Sequence, residues 1–452
     1  MQVTIIGGGS YQWTPELLAD LLGTPSLHGL HLVLEDVDPA PLPKMQALGE
    51  KVNETLGADA SISTTVDQKE ALSGADFVIV TISTGGFPSM TVDLDVPARH
   101  GIRQSVGDSV GPGGINRSLR NVPVLVGIAE DMEQLCPDAW LLNITNPMTC
   151  LTRAACKTTS IKTVGLCHEV GNWCMDLAIA LGRPFEAVRP TVAGVNHFPV
   201  VTALDVDGAD GFEMLRELVD EAGGLAALAP VEGREPAPPF SRLDFARRHV
   251  LKLTLFDRYG AVPAAGDRHL AEFLPSVLTP ESDWGAKFNI ALTTIAQRER
   301  HQDEYVARVD AQLAGTEDLQ TWQSGELPAP VIDSLVTGTR RELPINIPNT
   351  GQCPDLPPDA VVESICVVDG SGVTGRDVAR LPPPFAELLR RTVAVQELTV
   401  DAALGGDRDL AGAAFALDPL GGRGDLAETE AMADELLAGT ARWLPQFELA
   451  GR

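Results

Sequence analysis

Residues 2–22, QVTIIGGGSYQWTPELLADLL, decide the fold. Five β-prone residues run straight into three glycines, and TPELLADLL then repeats apolar residues at helical spacing, so the stretch reads as strand, glycine turn and helix. Gly7 and Gly9 fill the first two glycine places of a dinucleotide fingerprint. There the turn must be tight and the backbone must approach a pyrophosphate at a helix N-terminus. The third place holds Gln12, so the fingerprint is incomplete and a plain βα turn reads the same way.

The segments that follow extend the pattern. LHLVLEDVD, residues 30–38, is a second strand ending in acids, and its Asp36 stands twenty-nine residues after Gly7. A carboxylate there can accept both ribose hydroxyls and would repel a 2′-phosphate, which favours NAD over NADP. A solvated loop acid is the alternative for Asp36. The next strand, ADFVIVTIS, breaks at Thr84-Gly85-Gly86, and AWLLNITNP ends at Asn143 to Pro147. Open parallel sheets bind ligands at such strand ends. Gly7, Gly9 and Ser10 of the turn, with Asp36 and Thr84, are the candidate cofactor-binding residues. Between the last two strands, GDSVGPGGINRSLRNVP at 107–123 is too rich in glycine for a helix interior, so it predicts a shaped loop giving way to a helix near Ile115. Asp108, Asn116, Arg117 and Arg120 make it a dense polar set beside the crevice.

Length and charge bound the rest. A chain of 452 residues predicts two domains, or one large α/β domain with a substantial addition. Thirty-four Lys and Arg against 62 Asp and Glu give a net charge of −28, which disfavours phosphate backbones and anionic membranes; neither nucleic acid nor membrane is an expected partner. No run reaches the roughly 18 apolar residues of a membrane span. The N-terminus enters a strand with no basic region or cleavage site, so a cytoplasmic location is expected. Seven cysteines without regular spacing read as free thiols in a reducing compartment.

Two of the 8 histidines stand out. GLCHEVGN, residues 165–172, puts Cys167 and His168 at the end of a short buried strand, and GVNHF puts His197 at the end of another. Thiolate and neutral imidazole suit a divalent transition metal, two ligands leaving an open site for substrate oxygens. Buried packing and redox chemistry are the other readings of these residues.

Taken in order, IIGGGSYQWTPELL, GIRQSVGDSVGPGGINRSLR, NITNPM, GLCHEVGN and GVNHF resemble glycoside hydrolase family 4 or the related NAD-dependent sulfoquinovosidases. The resemblance is close over the first 200 residues and looser beyond. It implies an α/β fold like that of lactate and malate dehydrogenases: a Rossmann-type parallel-sheet domain over 1–200 and a C-terminal α/β (α+β) substrate domain over 201–452. It implies NAD and a divalent metal, manganese above all, held by Cys167 and His197, and sugar contact by Asn146. His168, following the metal cysteine, is the candidate acid; this CHEV form resembles members acting on non-phosphorylated α-glucosides. The route implied is oxidation at C3, deprotonation at C2, elimination of the C1 leaving group, water addition and re-reduction, an exception to the two-carboxylate pattern of most glycosidases.

The later sequence is less explicit. FARRHVLKLTLFDRYGAVPAAGDRHLAEFLP joins a helix to a loop with Tyr259, Asp267, Arg268 and His269. The family's base comes from about this region, with Asp267 preferred over Tyr259. Arg268 and Asp108 are candidate sugar contacts. EGREPAPP reads as a proline-rich loop, and ELPINIPNTGQCPDLPPDAVVESICVVDGSGV as short strands and turns in which Asn346 and Asn349 are structural or face substrate. The expected substrate is a neutral α-glucoside or α-galactoside, with an anionic C6 sugar (sulfoquinovoside, uronide or 6-phosphosugar) as the alternative, and the expected assembly a homodimer or homotetramer. A lactate- or malate-type dehydrogenase would have no use for Cys167, and an inactive NAD-binding regulator would have no reason to keep both Cys167 and His197.

Overall fold

The structure is a computed structural model, described over residues 1–228 and 241–447; the expected proline-rich loop EGREPAPP lies outside the described residues. The strands are β1 Gln2–Ile6, β2 His31–Glu35, β3 Ser61–Thr65, β4 Phe77–Val80, β5 Trp140–Asn143, β6 Lys162–Leu166, β7 Val188–Val195, β8 Phe198–Val206, β9 Ala209–Asp210, β10 Val262–Pro263, β11 Arg341–Pro348, β12 Val361–Asp369 and β13 Gly372–Gly375. The helices are α1 Trp13–Leu22, α2 Leu42–Leu56, α3 Gln68–Leu72, α4 Gly86–Arg99, α5 Gly111–Leu135, α6 Met148–Thr158, α7 Glu169–Leu181, α8 Gly211–Glu221, α9 Arg242–Arg248, α10 Val250–Tyr259, α11 Asp267–Leu270, α12 Ile295–Ala314, α13 Pro328–Thr337, α14 Pro383–Gly405, α15 Arg408–Leu417 and α16 Leu426–Gly439.

The first six strands are parallel in the order 3-2-1-4-5-6, the doubly wound order of dinucleotide-binding sheets. The sheet then continues without a break. β11 pairs antiparallel with β6, and β12, β7, β8 and β10 follow outward, each antiparallel to its neighbour. Alternation along β1 shows why both faces need cover: Val3 and Ile5 enter one core with Leu17, Leu18 and Leu21 of α1, while Ile6 enters another with Leu119 and Val122 of α5. Each such side chain removed from water contributes about 1.5–3 kcal/mol, which fixes the strand register. A third cluster, built by Trp173 and Leu177 of α7 with Val201 and Leu204 of β8 and Phe245 of α9, carries the antiparallel wing.

Two sequence expectations change. β3, SISTT, is a polar strand at the open edge with no apolar run to announce it. The glycine-rich stretch is not a loop up to Ile115: α5 begins at Gly111, with Pro112 in its first turn. Proline preorganises a first helical turn, and the glycines answer to packing. A Cβ on Gly113 would stand 2.8 Å from the Asp93 carbonyl oxygen, and one on Gly114 2.6 Å from the Ser109 carbonyl carbon. The helix accepts their entropic cost because its neighbours come too close for a side chain.

Candidate active site

The glycine turn forms as its sequence requires. Gly7 takes φ +88°, and a Cβ there would lie 2.0 Å from the Thr81 carbonyl oxygen. The amides of Gly7 and Gly8 donate to the Glu35 carbonyl, at 2.9 and 2.6 Å. Ser10 Oγ accepts from Trp13 N, the first amide of α1, at 3.1 Å. Asp36, at the end of β2, accepts from Gly9 N at 3.0 Å, placing the expected ribose carboxylate beside the turn. On the other side of the crevice Thr84 N donates to Asn121 Oδ1 and its carbonyl accepts from Arg120 Nε, at 3.1 and 2.9 Å.

The polar set of 107–123 divides in two. Asn116 and Arg120 are internal: Arg120 makes a two-pronged pair with Asp93 at 2.8 and 2.5 Å, and Asn116 adds a third bond at 2.8 Å. They lock α5 to α4. Asp108 and Arg117 remain at the crevice, Arg117 Nε donating to the Asn146 carbonyl at 3.0 Å. Asn146 in turn accepts from Met148 N through Oδ1 at 3.3 Å at the start of α6.

His197 and His269 meet at the turn of the β7–β8 hairpin, in the antiparallel half of the sheet. The β7–β8 hairpin turns on Asn196 and His197, and His197 has φ +65°, a conformation few residues other than glycine adopt. Such a position in a buried turn is a feature of functional sites. Burial, and then His269 alongside, depress the His197 imidazole to about 3, so it is neutral. Its Nδ1 lies 2.7 Å from Ser109 Oγ, and Ser109 donates its own hydroxyl hydrogen to Asp108 at 2.8 Å. The serine oxygen must therefore accept, the Nδ1 carries the hydrogen, and Nε2 keeps its lone pair. Metal-binding histidines are oriented by this arrangement. Donor atoms of Asp108, His197 and His269 lie within 4.8 Å of one another, and the His197 and His269 rings are 3.8 Å apart. His269 is the residue that the sequence showed without assigning: it sits in the first turn of α11, in a run rich in titratable groups.

Cys167 follows β6 and is 5% exposed. Burial, Glu363 and Glu169 push its thiol well above the usual value, a cost that a bound divalent cation offsets, since metals take the thiolate. The seven cysteines are free. The donor cluster among the described residues is Asp108, His197 and His269, without Cys167; a neutral imidazole with a free nitrogen, a second imidazole and a carboxylate are a donor set that fits a divalent metal.

His168 caps α7 and faces the crevice with Nδ1 on Glu326 and Nε2 3.7 Å from Glu169. Burial works against its charge, but Glu326, Glu169 and Glu16 hold it up at about 9. Glu169 is a central residue that sequence reasoning passed over although it directly follows the histidine. Burial alone would raise it; His269, His197 and His168 around it, with the Gly266 amide, bring it down to about 2.

Asp267 opens α11 and is 7% exposed. It accepts from Leu251 N at 2.7 Å and Lys252 N at 3.3 Å, with the buried Lys252 ammonium at 3.9 Å. Burial raises its carboxyl to about 6 against these partners. Tyr259 lies at the other end of α10, eight residues and about 12 Å along the helix from Leu251. Arg268 is exposed and donates to Thr293. Glu272 ties the Asp108 loop to this region, accepting from Val106 N and Gly107 N at 2.6 and 2.9 Å. Asn349 is structural, its Nδ2 within 3.0 Å of the carbonyls of Cys353, Leu356 and Pro357. Asn346 is fully buried beside Glu363, whose carboxyl is raised by burial to about 8 against side-chain hydrogen bonds from Asn346 and Asn196.

Comparison with known proteins agrees with this architecture. The description "Family 4 glycosyl hydrolase" matches residues 2–182, and that of the family's C-terminal domain matches 192–421. An α-galactosidase of Bacillus subtilis is 32% identical, covering 99% of this chain and 100% of its own. An α-galacturonidase of the same organism is 34% identical, covering 93% of both. The crystal structure of the Bacillus subtilis protein lplD covers 97% of this chain and 99% of its own at 33% identity, with a TM-score of 0.86. The fold extends further: a 6-phospho-α-glucosidase from gut microorganisms, solved with NAD and Mn2+, has a TM-score of 0.81 at 21% identity, covering 98% of this chain and 99% of its own. A malate dehydrogenase from Plasmodium falciparum has a TM-score of 0.53 at 13% identity, covering 91% and 99%. With family matches across both halves and relatives of one-third identity over nearly the whole length, the chain belongs to family 4 of the glycosyl hydrolases.

Proposed function

We propose that this glycoside hydrolase cleaves α-glycosides, neutral α-galactosides or α-glucosides first, with NAD and a divalent metal, most suitably Mn2+, as cofactors. The observation that carries the reading is the cluster of Asp108, His197 and His269 donor atoms, with Glu169 and His168 beside it, in a fold whose glycine turn is shaped for a dinucleotide. The relative named as an α-galactosidase supports the neutral reading, and the one named as an α-galacturonidase supports α-glycoside cleavage with an anionic C6 sugar.

Cys167 and His197 would hold the metal, with Asp108 and His269 beside it. Gly7, Gly9, Ser10, Asp36 and Thr84 would hold NAD. When bound, NAD supplies a reversible hydride acceptor and the cation a Lewis acid for sugar hydroxyls. Asp267, at about 6, is matched to removing a proton from C2. His168, charged at neutral pH, gives a proton from Nε2 to the glycosidic oxygen as it leaves C1. Asn146, Asp108 and Arg268 would orient the sugar.

An anionic C6 substituent is the second reading. Arg298 favours it: this residue near Asp108 and Arg268 has a buried Nε with no hydrogen-bond partner among the described residues. We further infer two domains meeting near residue 200 and a cytoplasmic homodimer or homotetramer. The seven free thiols support the location. No helix among the described residues is long and apolar enough to cross a membrane.

The test is hydrolysis of p-nitrophenyl α-galactoside, α-glucoside, α-galacturonide, α-sulfoquinovoside and 6-phosphoglucosides, each with and without NAD+, Mn2+ and a thiol reductant. Cleavage dependent on catalytic NAD+, with no net NADH, is the expected result. Accumulation of NADH from a hydroxy acid without glycoside cleavage would overturn the reading.

A further inference from the structure

Glu326 is remote from every motif that marks the site, 158 residues after His168, on the segment leading into α13. It is 7% exposed, and its Oε1 accepts from His168 Nδ1. A buried carboxylate aimed at one nitrogen of a half-exposed imidazole has a directional consequence. With the Nδ1 hydrogen engaged, the proton that can leave is the one on Nε2, which faces the crevice beside Glu169.

The same segment is tied to the helix that follows the glycine turn. Asp20 of α1, 1% exposed, accepts from Ser324 N at 2.6 Å and from the Ser324 hydroxyl. Ser324 Oγ in turn accepts from Glu326 N at 3.1 Å, and Gln323 Nε2 donates to the Asp20 carbonyl at 3.3 Å. Trp13, the first residue of α1, stands with its ring 6.3 Å from the His168 imidazole. Asp20, Ser324, Glu326 and His168 thus form a continuous hydrogen-bonded line from the glycine-turn helix to the sugar side of the crevice.

We propose that Glu326 is the positioning residue for His168, holding its ring in register with α1 so that Nε2 delivers the proton to the departing oxygen. The imidazole left after transfer is the Nδ1–H tautomer already bonded to Glu326, so without a ring flip Nε2 can take back a proton from the water that adds to C1. The inference rests on the proton-donor role of His168 proposed above.

The test uses the holoenzyme with NAD+ and Mn2+ and compares the p-nitrophenyl and methyl glycosides of the same sugar. p-Nitrophenolate departs without a proton, whereas methoxide does not. Glu326→Met, which keeps length but offers no acceptor, is expected to lose about tenfold or more kcat on the methyl glycoside than on the p-nitrophenyl glycoside, within the range such groups contribute. KM should stay within about threefold, and in D2O the recovered methyl glycoside should still gain deuterium at C2, because that exchange precedes loss of the aglycone. Glu326→Gln, which retains an acceptor oxygen, is expected to recover part of the difference; should the Met variant fail to fold, the Gln variant against wild type decides. His168→Asn is the reference. If it shows the leaving-group difference and neither Glu326 variant does, the positioning role is overturned. If His168→Asn itself shows none while C2 exchange persists, the proton-donor reading falls, and the inference with it.

Discussion

Ser109→Ala tests how His197, the proposed metal ligand, is set. In the native arrangement Ser109 Oγ accepts from His197 Nδ1 at 2.7 Å and donates to Asp108 at 2.8 Å, within a site where His197 is 3% exposed. Removing the hydroxyl leaves the Nδ1 hydrogen without its acceptor and frees the ring to take the other tautomer, which would put a hydrogen where the metal's lone pair must be. Loss of such an orienting partner costs about 10–100-fold in metal affinity, or about 1.4–2.7 kcal/mol. The direct cost to folding is smaller, about 0.5–1.5 kcal/mol for one neutral hydrogen bond. Calorimetric titration of Mn2+ into the enzyme without sugar should therefore show a Kd raised at least tenfold, while thermal unfolding without metal changes little. Ser109→Thr, which keeps the hydroxyl, should bind metal more tightly than the alanine variant. A Kd for Ser109→Ala within twofold of wild type would refute the reasoning: His197 would then be either no ligand or oriented by something else.

Two further outcomes probe the frame around the site. Arg120→Met leaves Asp93, 0% exposed, without its cation and the Thr84 carbonyl without its donor; a buried pair broken this way costs about 3–5 kcal/mol, so thermal unfolding should move sharply down, with Asp93→Asn in the same chain restoring part of the loss. An unchanged unfolding temperature would show that α4 and α5 do not depend on the pair. Glu272 is raised by burial to about 7 from 4.5. The folded state then binds the extra proton between these values, so this carboxyl's contribution favours folding at low pH and is lost as pH rises through about 7. Unfolding temperatures of Glu272→Gln and wild type measured from pH 5 to 8 should diverge, the variant gaining relative to wild type as pH rises; a constant difference would exclude this titration.

The sequence by itself determined the doubly wound half of the protein. Its information there is local: β1, the glycine turn and α1 are contiguous, and the periods of apolar residues differ between strand and helix. Cys167, His168 and His197 were legible for the same reason, since each stands at the end of a buried apolar run. The start of α5 was not. Whether Gly113 and Gly114 make a loop or a close-packed helix depends on Asp93 and Ser109 standing where a Cβ would go, and no local pattern contains that. Edge strand β3 likewise owes its existence to pairing with β2 rather than to an apolar run.

The tertiary structure alone decided the company that the histidines keep. Glu169 could be found beside its neighbour, but Glu326 resembles any loop acid until α13 packs against α1 and turns it toward His168. His269 meets His197 across a gap of some seventy residues because α11 and the β7–β8 hairpin converge beyond the sheet junction. Local propensity is written in neighbouring residues, whereas a catalytic constellation is assembled by packing between distant ones, and only the folded chain specifies those distances.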